Sequence, residues 1–380
     1  MTLLNTRIGF EVELIAPAGS SRRTLADRIA LDHQGRVERT FHTDSEPSLV
    51  PGMGHFWHLT PGFTVVDGQG EPLASLVDDV TIVADLQRDQ LRRSQGRVET
   101  ETAGRHDEHS YRMLSDDIRL LRLVADHSHP DTPFDRVLDE VASLFGTTVE
   151  TVGTIRRLRD RAGASIAMAT ALATGRERPC EIVTPPLRHD HEAALEALLR
   201  PARELGFAVP VEAAVHLHLD ADPYRSAHAF SNLVRLFGHW REALRYELAT
   251  NPACTRLQAL PQELIEFVDS DAAHRDDVGT QWRRLQAKAT ASGLTKYFDI
   301  NLTALLSDSP TRNTVEVRIL PGMLHGAEIT RSAALVEALL ARCQQSAPIP
   351  RPSTSDPAAM AMELRALATF IPSAEGAGRA

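Results

Sequence analysis

The sequence has little cysteine and no long apolar run, and each shortage excludes a class of protein. Its 380 residues include three widely spaced cysteines, Cys180, Cys254 and Cys343, with no Cys-x-x-Cys pair. Such a sparse and odd set provides no disulfide framework, so we expect a reducing compartment. No apolar stretch approaches the ~20 residues of a membrane-spanning helix, and no apolar segment precedes the first charges as in a signal peptide. We therefore expect a cytoplasmic, globular protein with no membrane partner.

The sequence also lacks an excess of basic residues. Lys and Arg number 41 against 51 Asp and Glu, a formal net charge of −10. Because a protein that binds nucleic acid needs a basic face for the phosphates, we expect no nucleic-acid partner. Hydrophobic residues make up 42% and charged residues 24% of the chain, which provides for a large core and excludes wholesale disorder. What the sequence does have is histidine, with sixteen in an acidic chain.

The pattern of apolar residues predicts both strands and helices. Ile8, Phe10, Val12 and Leu14 alternate with polar or small residues, the period-two pattern of a half-buried strand within residues 7–14. The other main strand candidates are residues 77–86, 180–186, 215–219, 297–302 and 314–320. The helix candidates are residues 115–126, 134–145, 149–173, 190–205, 226–248, 280–292, 327–344 and 357–369.

The order of these elements predicts the fold class. Strands and long helices do not alternate regularly, which favours an α+β fold with an antiparallel sheet over a doubly wound sheet or a barrel. Asp67, Gly68 and Gly70 predict a hairpin turn. We expect a single catalytic domain over residues 1–345, with a helical insertion at about 112–173. Residues 346–380 are rich in Pro, Ser and Ala and predict a tail with one short helix.

Carboxylates and imidazoles occupy the polar faces of several predicted strands. The first strand has a Glu-x-Glu pair, a later strand a His-x-His pair, and a late strand a Glu-x-Arg pair. These residues are Glu11, Glu13, His216, His218, Glu316 and Arg318. Glu181 is the one charged residue of its strand, and His42 and Asp44 share a face of the segment TFHTDS. An ordinary solvated face would contain a mixture of Thr, Ser, Lys and Gln.

Each of these pairs has an ordinary explanation when taken alone. A Glu-x-Glu pair is usually solvated surface, and a Glu-x-Arg pair is usually a surface ion pair worth ~0–1 kcal/mol. Taken together, they place many carboxylates on one sheet, where without a cation they would repel one another and shift each other's pKa values. A divalent cation removes that repulsion. The Glu-rich set, with one imidazole, suits Mg²⁺ or Mn²⁺ better than a closed zinc site.

The order of these motifs resembles the carboxylate–amine ligase superfamily, and in particular its branch of bacterial amidoligases. The stretches that carry the resemblance are IGFEVEL, DSEPSL, EIVTPPL, VHLHLD, DINLTAL and NTVEVRILPG, from Ile8 to Gly322. This superfamily includes the glutamate–cysteine ligases and shares the catalytic fold of glutamine synthetase. The resemblance implies a curved antiparallel sheet that forms a funnel, with ATP at one end and Mg²⁺ or Mn²⁺ ions at its waist.

The resemblance also implies two sets of metal ligands. Glu13, with Glu181, would bind the metal near the acceptor carboxylate. Glu11, His216 and Glu316 would bind the metal that bridges the ATP phosphates.

Further residues receive roles from the same resemblance. His218 would lie near the nucleotide phosphates, and Arg318 would neutralise charge on the transferring phosphoryl group. Asp44 would face the site as a catalytic residue and is, with Glu181, a candidate for the general base. Asn301 would contact substrate or phosphate.

The function implied is ATP- and Mg²⁺-dependent formation of an amide through an acyl phosphate, from a small-molecule or peptide carboxylate and an amine. One alternative is a divalent-metal hydrolase that uses His216 and His218. Another is a non-catalytic relic that binds a nucleotide or a peptide. The sequence leaves the acid, the amine and the oligomeric state open.

Overall fold

The computed structural model describes residues 4–47, 55–79, 81–82, 109–172, 175–254, 257–270, 277–308, 310 and 312–369. The chain divides into two compact units. The first comprises Met1–Val12, Pro186–Arg200 and Val211–Ala380, and the second comprises Glu13–Pro185 and Pro201–Pro210. No helix in the part of the chain that the structure describes is long and apolar enough to cross a membrane.

The first unit contains an antiparallel sheet with the strand order β11-β12-β10-β1. Its strands are β1 (Ile8–Ile15, which continues into the second unit after Val12), β10 (Ala214–Asp220), β11 (Ile300–Asn301) and β12 (Thr314–Pro321). Apolar residues of these strands, such as Phe10, Leu217 and Val317, are fully buried. The predicted strands at 7–14, 215–219 and 314–320 are therefore confirmed.

Among the described residues, seven helices belong wholly or mainly to the first unit. They are α4 (His191–Glu204), α5 (Ala227–His239), α6 (Arg241–Glu247), α7 (Gln262–Asp269), α8 (Val278–Ala291), α9 (Gly326–Cys343) and α10 (Pro357–Thr369). The helix predicted at 226–248 is two helices, because the backbone at Trp240 (φ −100°, ψ 12°) departs from the helical conformation. The indole Nε1–H of Trp240 donates to the carbonyl oxygen of Pro350, which fixes this junction.

One amide side chain, that of Asn232, contacts several backbone groups of the segment after α9. The Nδ2 group of Asn232 lies within hydrogen-bonding distance of the carbonyl oxygens of Cys343, Gln345 and Ala347, and its Oδ1 accepts from the N–H of Ile349. Asn232 is buried in α5. Buried backbone groups outside helices and sheets need such partners, so this irregular segment is part of the packed first unit.

The second unit contains an antiparallel sheet with the strand order β9-β4-β3-β5-β8-β7-β6, and β2 pairs with β3 along its whole length. The strands are β2 (Arg36–Pro47), β3 (His55–Val66), β4 (Pro72–Val77), β5 (Tyr111–Ser115), β6 (Val149–Val152), β7 (Ile155–Arg159), β8 (Ser165–Ala171) and β9 (Pro179–Val183). The helices are α1 (Arg22–Asp32), α2 (Ile118–His127) and α3 (Asp139–Leu144). Strands β3 and β4 form the predicted hairpin, with Asp67 accepting from the N–H groups of Gln69 and Glu71.

The helix predicted at 149–173 is wrong, because these residues form β6, β7 and β8. Gly153 and Gly163 have φ values of +60° and +85°, which favour glycine and allow the two tight turns. The three strands contain several β-branched residues, which favour strands over helices. The described part of the predicted helical insertion at about 112–173 therefore contains β6, β7, β8 and most of β5, in addition to the helices α2 and α3. The prediction of a single catalytic domain stays a prediction.

The strand predicted at 77–86 is also wrong in its described part. Strand β4 ends at Val77, and Asp78 and Asp79 are buried beyond the strand end. Residues 80 and 83–86 lie outside the described residues, as do most of residues 88–110, which the sequence assigns to an exposed excursion. The α+β class with antiparallel pairing is confirmed, whereas the funnel-like curvature stays a prediction.

A cluster of buried charges lies around Asp78 in the second unit. We define the Asp78 cluster as Asp78 with three arginines, Arg22, Arg112 and Arg176. The Asp78 Oδ1 atom lies 2.9 Å from Arg176 Nη2, and its Oδ2 atom lies 3.3 Å from Arg112 Nη2. Burial alone would raise the pKa of Asp78, but the three guanidinium groups outweigh it and lower the pKa. The carboxylate is therefore ionised and stabilises three cations from different elements.

Candidate functional site

The register of the first sheet places the predicted site residues opposite one another. Glu11 of β1 faces His216 of β10, and His218 faces Glu316 of β12. Asn301 of β11 also lies opposite Glu316. Because directly opposite residues of antiparallel strands project from the same face, four strands bring these side chains together.

A β-bulge in β12 adjusts the geometry opposite His216. Val215 pairs with Leu320 and Leu217 pairs with Val317, so two residues of β12, Arg318 and Ile319, face one residue of β10. A bulge bends its strand and re-aims its side chains. Here the Nη1 group of Arg318 donates to Glu316 Oε1, so the guanidinium folds back onto the carboxylate two residues earlier.

Both histidines contact the carboxylates. His216 Nδ1 lies 3.3 Å from Glu11 Oε2 and 3.5 Å from Glu316 Oε1. His218 Nε2 lies 3.1 Å from Glu11 Oε1, and its Nδ1 lies 3.1 Å from the Oγ1 of Thr314. A second partner on the far ring nitrogen fixes the orientation of an imidazole ligand. Thr314 therefore holds His218 with its Nε2 towards Glu11.

Asn301 acts on Glu316 from β11. Its Nδ2 group donates to Glu316 Oε2 at 2.9 Å. Its Oδ1 accepts from the backbone N–H and the hydroxyl of Thr303, at 3.0 and 2.7 Å. The sequence prediction gave Asn301 a contact with substrate or phosphate; in the structure the described contacts of its amide orient Glu316.

Asp299 connects this strand to a helix and to β12. Its carboxylate accepts from Arg241 Nε at 2.7 Å and from Arg245 Nη1 at 3.1 Å, both from α6. Its backbone carbonyl accepts from the N–H of Arg318 at 3.1 Å. Burial raises the pKa of Asp299, although the two guanidinium groups oppose the shift. The side chain of Asp299 thus joins α6 to the segment that carries Asn301, while its backbone carbonyl joins that segment to Arg318 of β12.

Neighbouring histidine and arginine side chains keep the two carboxylates ionised despite their burial. Glu11 is 7% and Glu316 is 5% exposed. Burial alone would raise the pKa of Glu11, but His218, His216 and Arg312 hold it well below its usual range. For Glu316, Arg318 and His218 likewise outweigh burial and lower the pKa.

The two imidazoles differ in their environment. Burial and the neighbouring Arg318 lower the pKa of His216, so its neutral form is favoured. Burial also lowers the pKa of His218, but Glu11 and Glu316 outweigh it and raise the pKa. Metal ligands have to be deprotonated, which the carboxylates and His216 already are near neutral pH. A metal ion at His218 would compete with a proton, whose binding the raised pKa of His218 favours.

Glu11, His218 and Glu316 have the arrangement of a cation site. Each offers one ligand atom, and these atoms lie within 4.8 Å of one another. Two carboxylates with one imidazole, in a buried setting, suit Mg²⁺ or Mn²⁺. The resemblance implies His216 as the imidazole ligand and His218 as a phosphate contact, whereas in the structure both imidazoles touch Glu11.

Arg312 is a site residue that the sequence prediction missed. It lies in the loop between the 3₁₀ turn Thr303–Leu306 and β12, and its Nη1 is 2.6 Å from Glu11 Oε1. Its side chain is 48% exposed, against 9% for that of Glu11. A loop residue has no periodicity that would mark it. The one feature of the sequence that could have indicated Arg312 is its position, four residues before Glu316.

Three further predicted site residues belong to the second unit. Glu13 is buried in β1, and Glu181 is half-buried in β9, opposite Val77 of β4. Asp44 lies in β2 opposite His58 of β3, and its Oδ1 accepts from the N–H of Ser45 at 2.7 Å. The functional roles of these three residues stay predictions.

Comparison with known proteins gives one family. The family model described as "putative amidoligase enzyme" matches residues 4–340. No curated protein matches the chain. The match contains every residue of the candidate site.

Proposed function

Because the chain belongs to the amidoligase family, whose model covers nearly its whole length, we propose that it is an ATP- and divalent-metal-dependent carboxylate–amine ligase. Membership of this family supports an enzyme that forms amide bonds. The observation that supports the dependence on ATP and a divalent metal is the buried set of Glu11, His218 and Glu316, with Arg318 beside it. The acceptor is a small-molecule or peptide carboxylate, and its partner is an amine.

Glu11, His218 and Glu316 would hold the metal ion. A divalent cation there would bind the phosphate oxygens of ATP and offset their negative charge. The protein's own contribution is to keep these ligands ionised and oriented. Thr314 orients His218, and Asn301 orients Glu316.

The proposed reaction has two steps. An oxygen of the acceptor carboxylate attacks the γ-phosphorus of ATP, the bond from that phosphorus to the β-phosphate oxygen breaks, and ADP leaves. The amine nitrogen then attacks the carbonyl carbon of the acyl phosphate, inorganic phosphate leaves, and one proton passes to a general base. The resemblance suggests Asp44 or Glu181 for that base. Arg318 would stabilise charge on the phosphoryl group during the first step.

Binding of a nucleotide tests the proposal directly. By calorimetry we expect a non-hydrolysable ATP analogue to bind when Mg²⁺ or Mn²⁺ is present and not when the metal is chelated. Glu11→Gln should lose this metal-dependent binding, because one carboxylate ligand becomes a neutral amide. Glu71→Gln, at an exposed position in the β3–β4 turn, serves as the control and should bind as the wild type does. Absence of nucleotide binding with either metal would reject the ligase.

Arg318→Ala separates the chemical step from nucleotide binding. We expect kcat to fall about 10²-fold, the usual effect of removing one group that stabilises a transition state. The KM for ATP should change much less, because the metal ion still holds the phosphates. Steady-state kinetics with ADP release as the signal measure both constants. A loss confined to KM would contradict the assigned role.

A further inference from the structure

Arg312 places a positive charge next to a carboxylate of the proposed metal site. Glu11 lies in the proposed metal site, yet its Oε1 already has a cation 2.6 Å away, the guanidinium of Arg312. The same oxygen faces His218 Nε2 at 3.1 Å. A guanidinium at that distance and a divalent cation on the same carboxylate would repel each other strongly in a site of low dielectric.

The arginines that balance the two carboxylates differ in where they lie. Glu316 is balanced by Arg318, which belongs to the same strand and is buried. Glu11 is balanced by Arg312, whose side chain is half exposed and extends inwards from a loop. A partner on a loop leaves a carboxylate more readily than a buried partner on the same strand.

The residue after Arg312 is anchored by contacts that do not involve the side chain of Arg312. Asn313 accepts from Arg225 Nη2 at 2.8 Å and donates to Asp222 Oδ1 at 2.7 Å. Thr314 then begins β12. These contacts of Asn313 do not involve the contact between Arg312 and Glu11, so they anchor the start of β12 whether or not that contact is made.

We propose that Arg312 holds the Glu11 carboxylate until a divalent cation replaces it, and that the displaced guanidinium then binds the phosphates of the nucleotide. The planar guanidinium donates paired hydrogen bonds that match phosphate oxygens. The inference rests on the proposed function for its metal and its nucleotide. It adds an order of events, in which metal binding makes the phosphate contact available.

The test measures two affinities of the full-length protein by calorimetry, on wild type, Arg312→Ala and Arg312→Lys. We expect Arg312→Ala to bind Mn²⁺ alone about tenfold more tightly, because a competitor has been removed. The same variant should bind the ATP analogue with saturating Mn²⁺ about tenfold less tightly, because a phosphate contact has been lost. Arg312→Lys should lie between Arg312→Ala and the wild type in both. Arg36→Ala, an exposed arginine of the second unit, should change neither.

The opposite signs of the two changes are the result that supports the proposal. A merely structural role for Arg312 would weaken both affinities and would overturn it. Tighter Mn²⁺ binding with unchanged nucleotide affinity would also overturn it, because Arg312 would then be only a nearby charge. If wild type binds Mn²⁺ and nucleotide and Arg312→Ala matches it in both, this inference fails while the proposed function stands. Absence of Mn²⁺ binding in every variant would reject both.

Discussion

Replacing Glu316 with Gln is expected to reduce amide-forming turnover to background while the protein stays folded. Glu316 belongs to the proposed metal site and lies between Asn301 and Arg318. A glutamine has the same shape, and its amide oxygen still accepts a hydrogen bond from either neighbour. It has no charge for a divalent cation, however, and carboxylate oxygens are the ligands that Mg²⁺ requires.

The measurement is ADP release with acid and amine pairs, together with thermal unfolding of the same sample. Because the substitution leaves Arg318 with a neutral partner, we expect a loss of stability of about 1.5–3 kcal/mol, the range for a hydrogen bond to a charged group. Glu71→Gln provides the control for a carboxylate on the surface. Full turnover by Glu316→Gln would remove Glu316 from the set of metal ligands.

Replacing Asp78 with Asn is expected to destabilise the protein by about 3–5 kcal/mol, as breaking a buried ion pair does. The side chain of Asp78 is fully buried, and three arginines surround it. Arg22 and Arg176 are themselves buried. An asparagine cannot offset their charge, so the free energy of unfolding falls by the cost of buried cations that have lost their anion.

Denaturant unfolding of Asp78→Asn and of Asp27→Asn makes the comparison quantitative. Asp27 pairs with Arg23 at 2.8 Å on the surface of α1, where both side chains are about half exposed. Its replacement should cost less than ~0.5 kcal/mol. Equal effects of the two substitutions would show that the Asp78 cluster does not support the fold.

The pH dependence of this stabilisation follows from the lowered pKa of Asp78. A carboxyl group with a depressed pKa in the folded state contributes its full stability above the unfolded-state pKa of ~3.9. That contribution is lost as the pH falls through the folded-state pKa. The difference between wild type and Asp78→Asn should therefore be constant near neutrality and shrink only in acid below about pH 4.

Strand patterns in the sequence predicted most of the candidate site. The alternation in β1, β10 and β12 fixed which side chains share a face, and the three pairs Glu-x-Glu, His-x-His and Glu-x-Arg fall on those strands as expected. Period-two patterns are strong when one face is buried. The contact between Glu11 and His216, which are 205 residues apart, was expected only from the resemblance. A local sequence pattern does not indicate which distant strands pair or in which register.

The features that the sequence did not predict lie in loops and in the second unit. Arg312 and Asp78 lie outside regular elements, and their importance comes from partners distant in sequence. Arg157 and Arg159 lie in the segment that was predicted to be a helix, but both pair with Glu150 of β6 as cross-strand neighbours do. Helix α1 was not predicted, because its apolar residues are interspersed with arginines that also become buried or paired.

The first sheet joins segments that are far apart in sequence, and this has a consequence for synthesis on the ribosome. Strand β10, which pairs with the strand of Glu11, is synthesised about 200 residues after Glu11, and β12, which pairs with β10, about 300 residues after it. Long-range strand pairs form slowly, and domains made of contiguous chain fold first during synthesis. Most of the second unit is one continuous stretch, Glu13–Pro185, whereas the first unit combines segments that are far apart in sequence. The proposed metal site therefore forms only after β12 has been synthesised and has paired with β10, later than the contiguous part of the second unit is able to fold.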